Sequence, residues 1–157
     1  MAETRIGSGT AELPTLEDTI ALGIGLGEKL RAGDVVVLSG PLGAGKTALT
    51  KGIALGLDVD GPVTSPTFVL ARVHRAKQHG QPAMIHVDIY RLLDNEGADL
   101  LAELDSLDLD TDLEDAVVVV EWGEGVAERL SDNYLDITLE RRADSETRTA
   151  TWHWNHR

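Results

Sequence analysis

The feature that most constrains this chain is the run Gly40-Pro41-Leu42-Gly43-Ala44-Gly45-Lys46-Thr47, one residue after the aliphatic stretch Val35-Val36-Val37-Leu38. It satisfies G-x-x-x-x-G-K-[ST] at every position. A phosphate chain needs several backbone N–H groups converging on one concavity, and glycines let the backbone curl that tightly. The helix that follows turns its positive end toward the anion. Lys46 adds a mobile ammonium for the outer phosphates, and the Thr47 hydroxyl is placed to ligate Mg²⁺. Chance produces such a pattern in roughly one chain of this length in a hundred. Here an aliphatic run precedes it and a helical pattern follows, the context the motif requires. Gly40, Gly43, Ala44, Gly45, Lys46 and Thr47 are therefore read as a phosphate-binding loop.

An unbroken aliphatic run bounded by turn signals is how a strand buried on both faces reads. Val35–Leu38 and Ala116–Val120 both have this form. Thr15 is expected to cap a first helix, with acids in its first turn and with Leu16, Ile20, Ile24 and Leu30 at helical spacing. Gly23, Gly25 and Gly27 weaken that helix by up to ~1 kcal/mol each relative to Ala. Ala32-Gly33-Asp34 is expected to end it. A second helix is expected from Lys46 to about Leu57. Strands are predicted over 67–73 and 83–90, with a hairpin connection at 75–82. Further helices are predicted at 95–104 and 126–130. Two late strands, 134–141 and 147–154, pair through a turn at Ala143-Asp144-Ser145. Residues 1–13 are expected to be loosely ordered. The sum is α/β: one P-loop NTPase domain over 1–157, with a mixed central sheet flanked by helices.

The chain has 157 residues, with 27 acids against 14 bases and a net charge of −13. That balance argues against a surface that coats DNA or RNA. The acidity is local. Residues 92–115 hold ten carboxylates and no Lys or Arg, and without them the balance is −3. The stretch reads either as a partner-docking surface or as a solubilising face. A basic cluster (Arg72, His74, Arg75, Lys77, His79) is a second candidate contact. The lack of cysteine removes disulfides, Cys-based zinc sites and thiol nucleophiles together. The first residues lack a basic segment followed by an apolar one, and the five-residue run at 116–120 is far short of a membrane span. The expectation is a soluble, cytoplasmic protein with no membrane and no DNA partner.

Hydrolysis of a bound nucleotide needs an acid for Mg²⁺ and a group that positions water. Glu121 ends the second aliphatic run, where ligands sit in an open parallel sheet. A solvated strand-end carboxylate is the alternative. His86, Asp88 and Tyr90 alternate along one strand face, which is either a site or a solvent face. Ser65 and Thr67 flank a proline after the P-loop helix and resemble a switch segment, although Ser-Pro-Thr is also ordinary loop chemistry. Trp122 is read as an adenine contact, a partner contact or packing.

Four motifs in this order resemble the TsaE (YjeE) family of small bacterial ATPases. They are Gly-Pro-Leu-Gly-Ala-Gly-Lys-Thr at 40–47, Ser-Pro-Thr-Phe at 65–68, His-Val-Asp-Ile-Tyr-Arg at 86–91 and Glu-Trp-Gly-Glu at 121–124. The resemblance covers about Thr15 to Arg141. It implies an ATPase that supports N6-threonylcarbamoylation of adenosine 37 in tRNAs reading codons that begin with A. It implies the proteins TsaD and TsaB as partners, contact with tRNA only indirectly, and ATP/ADP with Mg²⁺ as cofactors. By the same resemblance Gly43 to Lys46 bind phosphates, Thr47 and Glu121 hold Mg²⁺, and Asp88 lies near the metal or its water. Ser65 and Thr67 are the switch hydroxyls, Trp122 lies beside the site, and the helix start near Thr15 contacts the nucleotide. The glycine-rich first helix, the dense acids at 105–115 and the ending Trp152-His153-Trp154 depart from the pattern.

Two other readings compete. A small-molecule or nucleoside kinase also carries a P-loop, but usually with an Arg-rich lid, which the basic cluster does not resemble. The other is a nucleotide-dependent switch that never turns over. No Asn-Lys-x-Asp motif points to guanine. Arg91 is the candidate arginine finger, with a partner-supplied group as the alternative.

Overall fold

The computed structural model describes residues 6–40, 45–60, 71–88, 115–121, 133–141 and 144–156. In chain order these form β1 (Gly9–Leu13), α1 (Leu16–Gly27), β2 (Val35–Ser39), α2 (Lys46–Leu57), β3 (Ala71–His74), β4 (Ala83–Asp88), β5 (Ala116–Glu121), β6 (Asn133–Arg141) and β7 (Arg148–His156). The predicted helices at 95–104 and 126–130 lie outside the described residues, as does the acidic stretch up to residue 114.

The seven strands make one sheet in the order β1-β7-β6-β2-β5-β4-β3. Its centre, β6-β2-β5-β4, is parallel. Antiparallel strands close both sides: β7 and β1 beyond β6, and β3 beyond β4. Aliphatic side chains line both faces of the centre. Val35 to Leu38 and all of β5 are buried, as the unbroken runs predict. One face, carrying Val36, Leu38, Met84, Val117 and Val119, packs with Leu49, Ile53 and Leu57 of α2 into a continuous core.

The helix start at Thr15 is as expected. Its hydroxyl accepts from the Asp18 N–H at 3.2 Å, and the Asp18 carboxylate accepts from the Thr15 N–H at 2.9 Å. Two N–H donors at the helix end are thereby satisfied reciprocally. The rest of α1 departs from expectation. It ends at Gly27, before the predicted stop, and its buried stripe is Thr19, Gly23, Leu26 and Gly27. Leu16, which began the predicted apolar stripe, is 55% exposed. The reason is the approach of α2. A Cβ on Gly23 or Gly27 would strike the carbonyl oxygens of Leu49 and Ile53, and a Cβ on Gly52 or Gly56 those of Ile20 and Ile24. The helices meet backbone to backbone, so two of the glycines that cost helix propensity, Gly23 and Gly27, form the contact surface of α1.

The loosely ordered start is corrected for residues 9–13. They pair antiparallel with β7, Gly9 opposite Trp152 and Leu13 opposite Arg148. Ile6 and Leu13 are each only 4% exposed, so apolar burial holds both ends of the segment. Gly9 lies under the Trp152 indole, where a Cβ would collide. The late strands pair in full register, from Asn133 opposite His156 to Arg141 opposite Arg148. The unplaced Trp152-His153-Trp154 ending is β7, whose two tryptophans pack against the core while His153 lies 3.9 Å from Asp136. Among the described residues no helix is long and apolar enough to cross a membrane.

Candidate functional site

Three parallel strands end side by side. In register, Leu38 of β2 lies opposite Glu121 of β5, and Glu121 lies opposite Asp88 of β4. The chain leaves β2 at Gly40 and returns as α2 from Lys46. The phosphate-loop sequence therefore begins and ends at the carboxyl edge of the sheet, where ligands collect in open α/β sheets.

The ends of that loop are described; Pro41 to Ala44 are not. Gly45 caps α2 with φ of 101°, in the left-handed region, and no side chain bonds to the helix end. A glycine is needed there because an L side chain is strained at that φ. The helix start thus lacks a side-chain cap, an arrangement that suits binding of an anion at the first N–H groups. Lys46 is 7% exposed and its Nζ donates to the Gly40 carbonyl at 2.5 Å, across the mouth of the loop. Thr47 is half-buried beside it, and Thr50 anchors the first turn by donating to the Lys46 carbonyl at 2.9 Å.

Glu121 is not a solvated strand end. It is 4% exposed, and His86 Nε2 lies 3.1 Å from its Oε2. His86 is wholly buried, so at that residue β4 has no solvent face. The pairing is diagonal: His86 stands opposite Val119, and Glu121 is two residues further along the same face of β5. That face is the one α2 covers, since Met84 and Val119 share it.

Two residues that sequence reasoning missed reach the loop. A Cβ on Gly45 would stand 3.7 Å from Cγ2 of Thr19 and 3.8 Å from Nε of Arg148. Thr19 is buried and its hydroxyl has no hydrogen-bond partner. Arg148 is held at the base of β7, where Nη1 donates to the Glu146 carbonyl at 2.8 Å. No local signal marks either residue. Thr19 sits mid-helix among glycines, and an Arg on a late strand reads as an exposed side chain. Thr15 opens the same helix, but its hydroxyl is engaged with Asp18. Thr19, one turn on, lies beside Gly45 at the end of the loop. Ser65, Thr67, Arg91 and Trp122 fall outside the described residues, as do Gly43 and Ala44; Asp88 is described by its backbone alone.

A glycine loop that joins a buried parallel strand to a helix, with an acid in register on the neighbouring strand, defines a P-loop fold. The crystal structure of Bacillus subtilis YdiB supports that class: it matches with a TM-score of 0.68 at 28% identity, over 96% of this chain and 87% of that one. Within the class, this chain belongs to the TsaE family, whose model, described as threonylcarbamoyl adenosine biosynthesis protein TsaE, matches residues 13–150. A Mycobacterium tuberculosis relative, named tRNA threonylcarbamoyladenosine biosynthesis protein TsaE, is 72% identical over 94% of this chain and 88% of its own length. Proteins of the same name from Mycobacterium leprae and Bacillus subtilis are 66% and 37% identical, over 98% and 74% of this chain and 96% and 67% of their own lengths.

Proposed function

We propose that this chain is an ATP-binding, Mg²⁺-dependent ATPase that acts with TsaB and TsaD in threonylcarbamoylation of adenosine 37 of tRNA. One observation carries the nucleotide reading: the buried Lys46 ammonium closes the loop mouth on the Gly40 carbonyl while Glu121 and Asp88 stand in register on the next two strands. The partners follow from membership of the TsaE family.

The residues present suit Mg²⁺. It prefers oxygen ligands and keeps most of its waters, taking one or two carboxylates together with substrate phosphates. The Thr47 hydroxyl and Glu121 carboxylate are of that kind. Bound there, Mg²⁺ would neutralise phosphate charge. Lys46 and the α2 N–H groups hold the outer phosphates, and Arg148 adds a cation near Gly45.

Phosphate release, measured with and without TsaB and TsaD, tests the reading. We expect slow release alone and faster release with both partners, and Lys46→Ala should abolish nucleotide binding or turnover. Parent-level turnover in that variant would overturn the P-loop assignment. Phosphate transfer to a nucleoside or small alcohol would favour the kinase reading instead.

A further inference from the structure

We infer that His86 is a positioning residue for Glu121: its Nε2–H holds one carboxylate oxygen, so that the other is kept for the Mg²⁺–nucleotide group. This rests on the reading of Glu121 as a metal carboxylate.

Three observations support it. The bond is 3.1 Å long, with His86 wholly buried and Glu121 nearly so. The acceptor is a carboxylate, which fixes the proton on Nε2. Nδ1 is then left buried without a partner. An orphaned ring nitrogen costs stability, and an apolar side chain of similar size would pack without that cost. What the imidazole adds is therefore the Nε2–H donor. The chemistry suits a metal carboxylate. A strand-end Glu has three side-chain torsions, and one bond to a buried ring removes part of that freedom before the metal arrives. A neighbouring Lys or Arg would anchor the carboxylate too, but its charge would compete with a dication. An imidazole needs only one N–H to make this bond.

The test compares H86F, which removes the donor, with H86Q, whose amide N–H can replace it, and with E121Q. Calorimetry gives Mg²⁺ affinity in the ADP complex and ADP affinity in EDTA, and thermal unfolding shows that each variant folds. We expect H86F to weaken Mg²⁺ binding about tenfold or more, as loss of an outer-shell partner typically does. ADP affinity in EDTA should stay at the parent value, and H86Q should recover most of the Mg²⁺ affinity. Parent Mg²⁺ affinity in folded H86F, or equal loss in H86Q and H86F, overturns the inference. If E121Q loses Mg²⁺ affinity and H86F does not, only the role of His86 falls. If E121Q itself binds Mg²⁺ normally, the metal reading of Glu121 fails and the inference falls with it. Should H86F not fold, imidazole ¹⁵N spectra of the parent protein decide. An Nε2–H protected from exchange supports the inference, and an Nδ1-protonated ring overturns it.

Discussion

His74 and His86 lie on neighbouring strands, and both are buried. His74 is 3% exposed; its Nδ1 lies 3.1 Å from the Asp60 carbonyl, and Nε2 has no partner. Burial lowers its pKa. His86 and Arg72 lower it further, while the bond to Asp60 pulls the other way. The unfolded chain therefore takes up this proton more readily, starting near the ordinary histidine value of about 6.5. Stability linked to His74 is complete above that pH and is lost as pH falls through the window below it. Unfolding midpoints between pH 8 and 5 should show that loss, and His74→Gln should flatten it. An unchanged slope in the variant would remove His74 as the cause. Thr15 is a simpler case. Thr15→Ala removes one side of the reciprocal cap and should cost ~1 kcal/mol in denaturant unfolding. Lys46, Thr47 and Glu121 were legible from the sequence because each belongs to a motif or ends an aliphatic run. The His86–Glu121 bond was not, because it joins residues 35 positions apart. No periodicity reports which side chain lies diagonally across a sheet.

The α1–α2 pair inverts the usual reading of glycine in a helix. Gly23, Gly27, Gly52 and Gly56 permit contact between backbones, and a methyl group at any of them meets a carbonyl oxygen. Gly25 lies on the same helix with nothing within 4 Å of its would-be Cβ. One substitution thus has opposite signs at two sites. Gly52→Ala should destabilise by about 1–3 kcal/mol through overpacking. Gly25→Ala should stabilise by about 0.5–1 kcal/mol through helix propensity. Paired denaturation curves test this; destabilisation by both would mean that α1 is held by something other than close approach. The sequence placed both helices but mistook which stripe of α1 is buried. Hydrophobic periodicity weighs side chains, and half of the buried stripe of α1 is glycine.

Across the whole molecule, the central strands β2 and β5 were legible because strands buried on both faces leave unbroken aliphatic runs. The edge strand β1 was not. Gly-Thr-Ala-Glu-Leu carries little apolar signal, and its pairing with β7 and the burial of Leu13 order it. The site itself depends on one alignment, Leu38 beside Glu121 beside Asp88. Side chains alternate along a strand, so a shift of one residue turns every following side chain to the opposite face. Deleting Val118 should therefore abolish Mg²⁺-dependent nucleotide binding in any product that stays soluble. One glycine added after Gly80, where nothing crowds the turn, should leave that binding intact, since loop length carries only a small entropic cost. Binding assays on the two length variants check the contrast. The consequence reaches into how such a gene can drift. Turns away from the site, such as that at Gly80, can gain or lose residues, whereas the phosphate loop and the strands that carry the site admit exchange of letters but no change in their count.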